Sequence, residues 1–124
     1  MKYKLDINNR AFNAIKKGTK KVEIRVTTLS EDAFDYSILK PNDILVLKSS
    51  NEKIINCIVK KVNHYSSIEE LLNKEGTKYT LSSTDDFDEG IKSINSLKGY
   101  KKSIPINGIY AIHLKNIDKF NDTE

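Results

Sequence analysis

At 124 residues the chain has the length of one domain, enough to bury a core without disulfides or a structural metal and too short for a second domain. Its 21 Lys and Arg against 17 Asp and Glu give a net charge of +4; this makes polyanions plausible partners, but a moderate excess also serves solubility, so charge alone does not choose a function. One cysteine and two histidines exclude an internal disulfide and any zinc-ligand spacing, and no apolar run reaches the length of a membrane span.

The amino terminus, Met1-Lys2-Tyr3-Lys4-Leu5-Asp6, alternates instead of forming an apolar signal segment, which predicts a cytoplasmic protein. Tyr3, Leu5 and Ile7 alternating with Lys2, Lys4 and Asp6 predict a half-buried first strand. Asn8 or Asn9 can cap a following helix that turns Ala11, Phe12, Ala14 and Ile15 inward and stops at Gly18. Such a short helix is stable only when packed on the rest of the fold.

The stretch Gly18-Thr19-Lys20-Lys21-Val22-Glu23-Ile24-Arg25 then opens a second strand. Alternation sends Val22, Ile24 and Val26 into a core and Lys21, Glu23 and Arg25 to the opposite face. Apart from Arg10, Arg25 is the only arginine in a chain that otherwise uses lysine. Its planar fork suits a carboxylate, a phosphate or a base edge, and it equally suits a plain same-face pair with Glu23.

Residues 27–40 have no clear period and predict a long loop with room for a helical turn. Asn42 tolerates the left-handed backbone of a tight turn. Asp43-Ile44-Leu45-Val46-Leu47-Lys48 is apolar on both faces and predicts a central strand. A turn at Ser49-Ser50-Asn51-Glu52 leads into a partner strand from Ile54 to Val62, with Ile55, Cys57 and Val59 on one face and Ile54, Ile58 and Val62 on the other. Cys57 there is a small buried hydrophobe.

Ser67 and Glu70 have capping-box spacing at the start of a second helix that ends before Gly76. A third helix is expected from Ser83 or Thr84, its first turn rich in Asp85, Asp86 and Asp88, with Phe87, Ile91 and Ile94 at helical spacing. A polar connection containing Pro105 leads through the turn dipeptide Asn107-Gly108 to a last strand, Ile109 to Leu114. These elements predict an α+β domain over residues 1–117: a mixed, largely antiparallel β-barrel with helices on its outside, followed by a disordered tail over 118–124.

The pattern GxKxxExR, between a helix ending in Phe12-Asn13-Ala14-Ile15-Lys16-Lys17 and the later Leu39-Lys40-Pro41-Asn42-Asp43-Ile44, resembles the ASCH domain family of PUA-like β-barrels. The resemblance implies a small nucleic-acid-associated domain with a cleft floored by this motif. It also implies that some relatives hydrolyse modified cytidine or RNA. In most relatives a glycine precedes the turn aspartate where this chain has Asn42, and the loop after the motif arginine is shorter. In the branch that deacylates N4-acylated cytidine, the implied working residues are a lysine, a threonine and a glutamate. Lys20 falls on the lysine position, Glu23 replaces the threonine, and Glu75 matches the glutamate only loosely.

The expected ligand is therefore single-stranded RNA or a modified nucleoside, held by Lys20 and Lys21 on phosphate and by Glu23 and Arg25 on base edges. Tyr65, Tyr79 and Tyr100 are candidates for base stacking, and each equally fits as a half-buried ring with a wet hydroxyl. Lys60-Lys61 and Lys101-Lys102 can extend the positive surface. His64 reads as a polar strand end or an acid/base group, and His113 as structural. No cofactor is implied, and the chain is expected to be a monomer or weak homodimer. Two alternatives stand beside binding: hydrolysis, with Lys20 as electrostatic stabiliser and Glu23 as general base, and a protein-interaction module whose cleft is blocked by the 27–40 loop.

Overall fold

The computed structural model describes residues 1–118, so residues 119–124 of the expected tail lie outside the described residues. The strands are β1 (Lys2–Ile7), β2 (Val22–Arg25), β3 (Ile44–Ser49), β4 (Ile54–Tyr65) and β5 (Ile109–Asn116). The helices are α1 (Asn9–Lys17), α2 (Ile68–Glu75), α3 (Phe87–Asn95) and α4 (Tyr100–Asn107), with one turn of 3-10 helix at Tyr36–Ile38 inside the long loop. The strands form one sheet in the order β1-β3-β4-β5-β2. β1 runs parallel to β3, and the other pairings are antiparallel. The sheet curls into a half-barrel. β1 and β2 remain its two edges, so the expected closed barrel is instead open along a seam between them.

The inner face of the curl buries Leu5, Leu45, Leu47, Ile55, Cys57, Val59 and Ile112 beneath Phe12 and Ile15 of α1. Tyr36 and Leu39 of the long loop complete this cluster, so the loop closes the concave side. On the outer face, Val22, Ile24, Ile109 and Ala111 pack against Ile68, Leu71, Ile94 and Ile104 of α2, α3 and α4. Each fully buried Leu or Ile contributes roughly 1.5–3 kcal/mol, so the two clusters dominate the stability of the fold.

Local chemistry fixes the joints. The Asn8 side chain accepts from the Ala11 amide and Gly18 closes α1 at φ 85°. Asn42 adopts φ 78° in the turn before β3, the left-handed backbone its side chain tolerates. Asp43 accepts from the amino-terminal amine at 3.1 Å and from the Lys40 amide at 2.9 Å, tying that turn to the start of β1.

Four details differ from the sequence reading. First, β4 continues three residues beyond Val62, and a bulge shifts its register between Val59 and Lys61. The extra residue reverses the alternation, so Val62 joins the inner face with Ile55, Cys57 and Val59 instead of opposing them. Second, α3 begins only at Phe87, because Asp86 supplies the cap by accepting from the Glu89 amide. Third, the connection containing Pro105 is helix α4, with Pro105 in its second half. The proline removes one donor, while the Gly108 amide still bonds Ile104 and the Ser103 hydroxyl bonds Gly99 O. Fourth, β5 runs two residues past Leu114, and Asp118 beyond it accepts from the Asn56 amide at 2.8 Å.

Candidate functional site

β2 is only four residues long, and its outer edge has no strand partner. The segment after α2 covers part of that edge, where the Lys21 and Val22 amides both donate to Tyr79 O. Glu23 pairs with Ile112 and Arg25 with Tyr110, so both side chains point to the inner face of the curl. The alternation thus groups Glu23 and Arg25 as expected, but on a face covered by Tyr36 and α1 instead of one flooring an open cleft, and Lys21 is exposed.

The charges are satisfied within the protein. Arg25 Nε donates to Glu23 Oε2 at 2.8 Å, Nη1 to the Tyr36 hydroxyl at 3.1 Å, and Nη2 to Asp6 O of β1 at 2.7 Å. Arg25 is therefore a strut across the seam, joining the two edge strands of the half-barrel. Lys20 Nζ lies 3.4 Å from Glu23 Oε1 and donates to Val22 O and Thr80 O at 2.7 and 2.5 Å. Lys20 is 5% exposed and Glu23 6%. Burial opposes ionisation of Glu23, but Arg25 and Lys20 outweigh it and hold the carboxyl below its usual range. Burial lowers the Lys20 pKa, with Glu23 partly offsetting it. Burial also works against Arg25, where Glu23 again prevails and raises the pKa.

A recess of about 100 Å³ opens along the seam. Lys20, Glu23 and Ile24 form its floor, Asn8 and Arg10 at the start of α1 one wall, and Thr80 to Ser83 with Ser93 of α3 the other. None of residues 27–40 lines it. The volume holds a few waters or a small polar group, several times what one water requires. The polar residues lining this recess are Asn8, Arg10, Lys20, Glu23, Thr80, Ser82, Ser83 and Ser93.

The remaining site candidates lie apart from it. Lys21 is exposed and sits 4.8 Å from the Tyr79 ring centroid, with Lys78 at 5.2 Å from the same ring. Tyr100 opens α4, and burial pushes its hydroxyl up to about 12. Tyr65 donates to Glu75 Oε2 at 2.6 Å; burial, then Glu75 itself, pushes its pKa up to about 12. Glu75 also accepts from Asn63 Nδ2 at 2.8 Å and meets His113 Nε2 at 2.8 Å. His113 is paired with Val22, on the outer face, so Glu75 is held on the opposite side of the sheet from Glu23. His64 Nε2 lies 2.8 Å from Asn107 O and its ring packs on Tyr110. Cys57 is fully buried and its thiol is pushed up to about 12, an inert core group.

Sequence reasoning missed the recess wall and the strut's partner. Arg10 stood out only as one of two arginines, Ser83 only as a candidate helix start, Ser82 and Ser93 carried no signal, and Tyr36 lay in a loop without periodicity. Among the described residues no group of three or more His, Cys, Asp or Glu is placed to hold a metal, and no helix is long and apolar enough to cross a membrane.

A curled five-stranded half-barrel with four helices and a buried Lys-Glu-Arg network at its seam defines a small, open α+β domain. The ASCH domain family model matches residues 5–123, and the chain belongs to that family. It is similar to the crystal structure of hypothetical protein PH0355, at 28% identity and a TM-score of 0.79, over 94% of this chain and 100% of that one. It shares its fold with the solution NMR structure of protein PF0455 from Pyrococcus furiosus, at 24% identity and a TM-score of 0.71, over 95% of this chain and 99% of that one. Comparison with curated proteins finds no match.

Proposed function

We propose that the domain binds single-stranded RNA or a modified nucleoside, with a base edge or small polar substituent entering the seam recess. The observation that carries this reading is the recess itself, with the buried Glu23 carboxylate, ion-paired to Lys20 and Arg25, at its floor and the exposed Arg10 among the residues that line it. Glu23 would accept from a base amino group, Arg10 would meet a phosphate or a carbonyl, and Lys20 and Arg25 would hold Glu23 in place. Membership of the ASCH family and the basic balance support the same reading.

Hydrolysis is the weaker reading. A general base works best with a pKa near the working pH, whereas Glu23 is held lower, and Lys20 already spends its ammonium on two carbonyls. The glutamate matched to the third working position, Glu75, is engaged on the other face of the sheet. The 27–40 loop covers the Arg25 side of the motif through Tyr36, and the recess at Lys20 and Glu23, which no residue of that loop lines, is the part left open to a ligand.

The test is titration of a nucleoside panel and short single-stranded RNA at low salt, with Arg10→Gln as the probe variant because its side chain is exposed. Binding by the unsubstituted chain is expected, weakened about tenfold or more in the variant, as for loss of a hydrogen bond to a charged group. No binding to any member of the panel ends the proposal. Turnover of N4-acylated cytidine that disappears in Glu23→Gln would replace it with the hydrolase.

A further inference from the structure

A second charged feature lies around the edge of the sheet, on the other side of Lys20, whose buried side chain lines both hollows and has its ammonium turned to Val22 O, Thr80 O and Glu23. Lys21 just before β2, Lys60 at the β4 bulge and Lys115 in β5 surround a groove of about 220 Å³ floored by Leu114 and Gly18. The backbone explains why they converge. Leu114 donates its amide to Lys21 O on one side, and Val59, the residue before Lys60, is its partner on the other. The bulge inserts Lys60 into a ladder that would otherwise have continued in register, so Lys60 and Lys61 are both exposed. Strands β4 and β5 and the residue leading into β2 thus each bring one lysine to the same hollow.

No carboxylate lines this groove, and among the described residues none of these three lysines forms an ion pair. The Tyr79 ring already anchors Lys21, which reduces the side-chain entropy lost when its ammonium meets an anion. Among the described residues, acidic side chains gather at the starts of α2 and α3 and in the long loop, and Asp118, two residues beyond the groove-lining Asn116, has its carboxylate engaged by Asn56.

We infer that this groove is a phosphate site that takes the backbone of a single-stranded nucleic acid, separate from the recess that would take a base. Three point-charge ammonium groups without a planar fork suit a flexible phosphodiester chain and confer no sequence preference. The inference rests on the RNA reading of the recess for its ligand class, but not on the recess chemistry.

The test is fluorescence anisotropy of a labelled single-stranded RNA across a range of salt concentrations. Lys60→Gln with Lys115→Gln is compared with the charge-matched pair Lys101→Gln with Lys102→Gln on α4. For single strands each neutralised phosphate adds about 0.7 to the slope of log affinity against log salt. The groove pair is therefore expected to flatten the slope by about 1.4 and to leave nucleoside binding unchanged, while the α4 pair leaves the slope as it was. An unchanged slope in the groove pair, equal flattening in both pairs, or no salt-dependent RNA binding at all overturns the groove assignment. Nucleosides that fail to bind, with RNA binding and the groove-specific flattening intact, remove the recess reading and leave the groove standing.

Discussion

At the scale of single residues, Glu23 is the carboxylate on which two buried cations depend. Glu23→Gln removes its charge, leaving Lys20 and Arg25 facing each other in a site with little water. Breaking a buried ion pair by removing one partner costs about 3–5 kcal/mol, so urea unfolding of the variant should show a loss of that size. A loss below about 1 kcal/mol, the range of an exposed pair, would mean the network is solvated. Any binding assay on this variant needs the folded fraction measured alongside. Alternation along β2 made the shared face of Glu23 and Arg25 legible. It did not reveal that this face is covered, because the cover comes from Tyr36 and α1, and Lys20 is buried by a contact with Thr80 sixty positions along the chain. Residue spacing reports which side chains share a face; distant packing decides whether water reaches it.

At the scale of elements, two glycines with positive φ separate strain from crowding. Gly18 ends α1 at φ 85°, and a Cβ there would meet nothing within 4 Å. Gly18→Ala should therefore cost only the left-handed backbone penalty, roughly 1–2 kcal/mol. Gly108 leads into β5 at φ 73° and ψ −161°, a region essentially reserved for glycine. A Cβ there would lie 2.6 Å from Tyr65 O and still closer to the His64 ring. Gly108→Ala should cost about 1–3 kcal/mol of backbone strain and about 1–3 kcal/mol of crowding. Denaturation midpoints of the two variants check the order, and equal losses would refute it. Asn107-Gly108 was legible as a turn because its composition is local. Helix α4 was not, since Pro105 argues against a helix and only packing of Ser103 and Ile104 secures it. The β4 bulge was equally hidden: nothing about Lys60 itself says that the ladder slips there, yet the slip places Val62 in the core and Lys60 in the groove.

At the scale of the whole molecule, the half-barrel is held shut by ionised carboxylates at three separate places. Glu23 ties the seam, Glu75 ties the end of α2 to β4 and β5, and Asp43 ties the β3 turn to the amino terminus. Each is held below its ordinary pKa: Glu23 by Arg25 and Lys20 against burial, Glu75 by Asn63, Tyr65 and His113 against burial, and Asp43 chiefly by the Lys40 amide. A carboxyl with a lower pKa in the folded state binds fewer protons there than in the unfolded chain. Its stabilisation is complete above the unfolded value, about 4.3 for Glu and 3.9 for Asp, and is lost as pH falls through the folded value. Acidification also raises the net positive charge, and the general self-repulsion of the chain adds to the loss. Unfolding free energy should therefore be flat from pH 7 to about 5 and fall steeply below about 4.5. In Glu23→Gln the curve should start lower and fall less steeply, because the group that supplies part of the slope no longer titrates. Urea unfolding at a series of pH values measures both curves, and parallel acid limbs would show that Glu23 does not carry the seam.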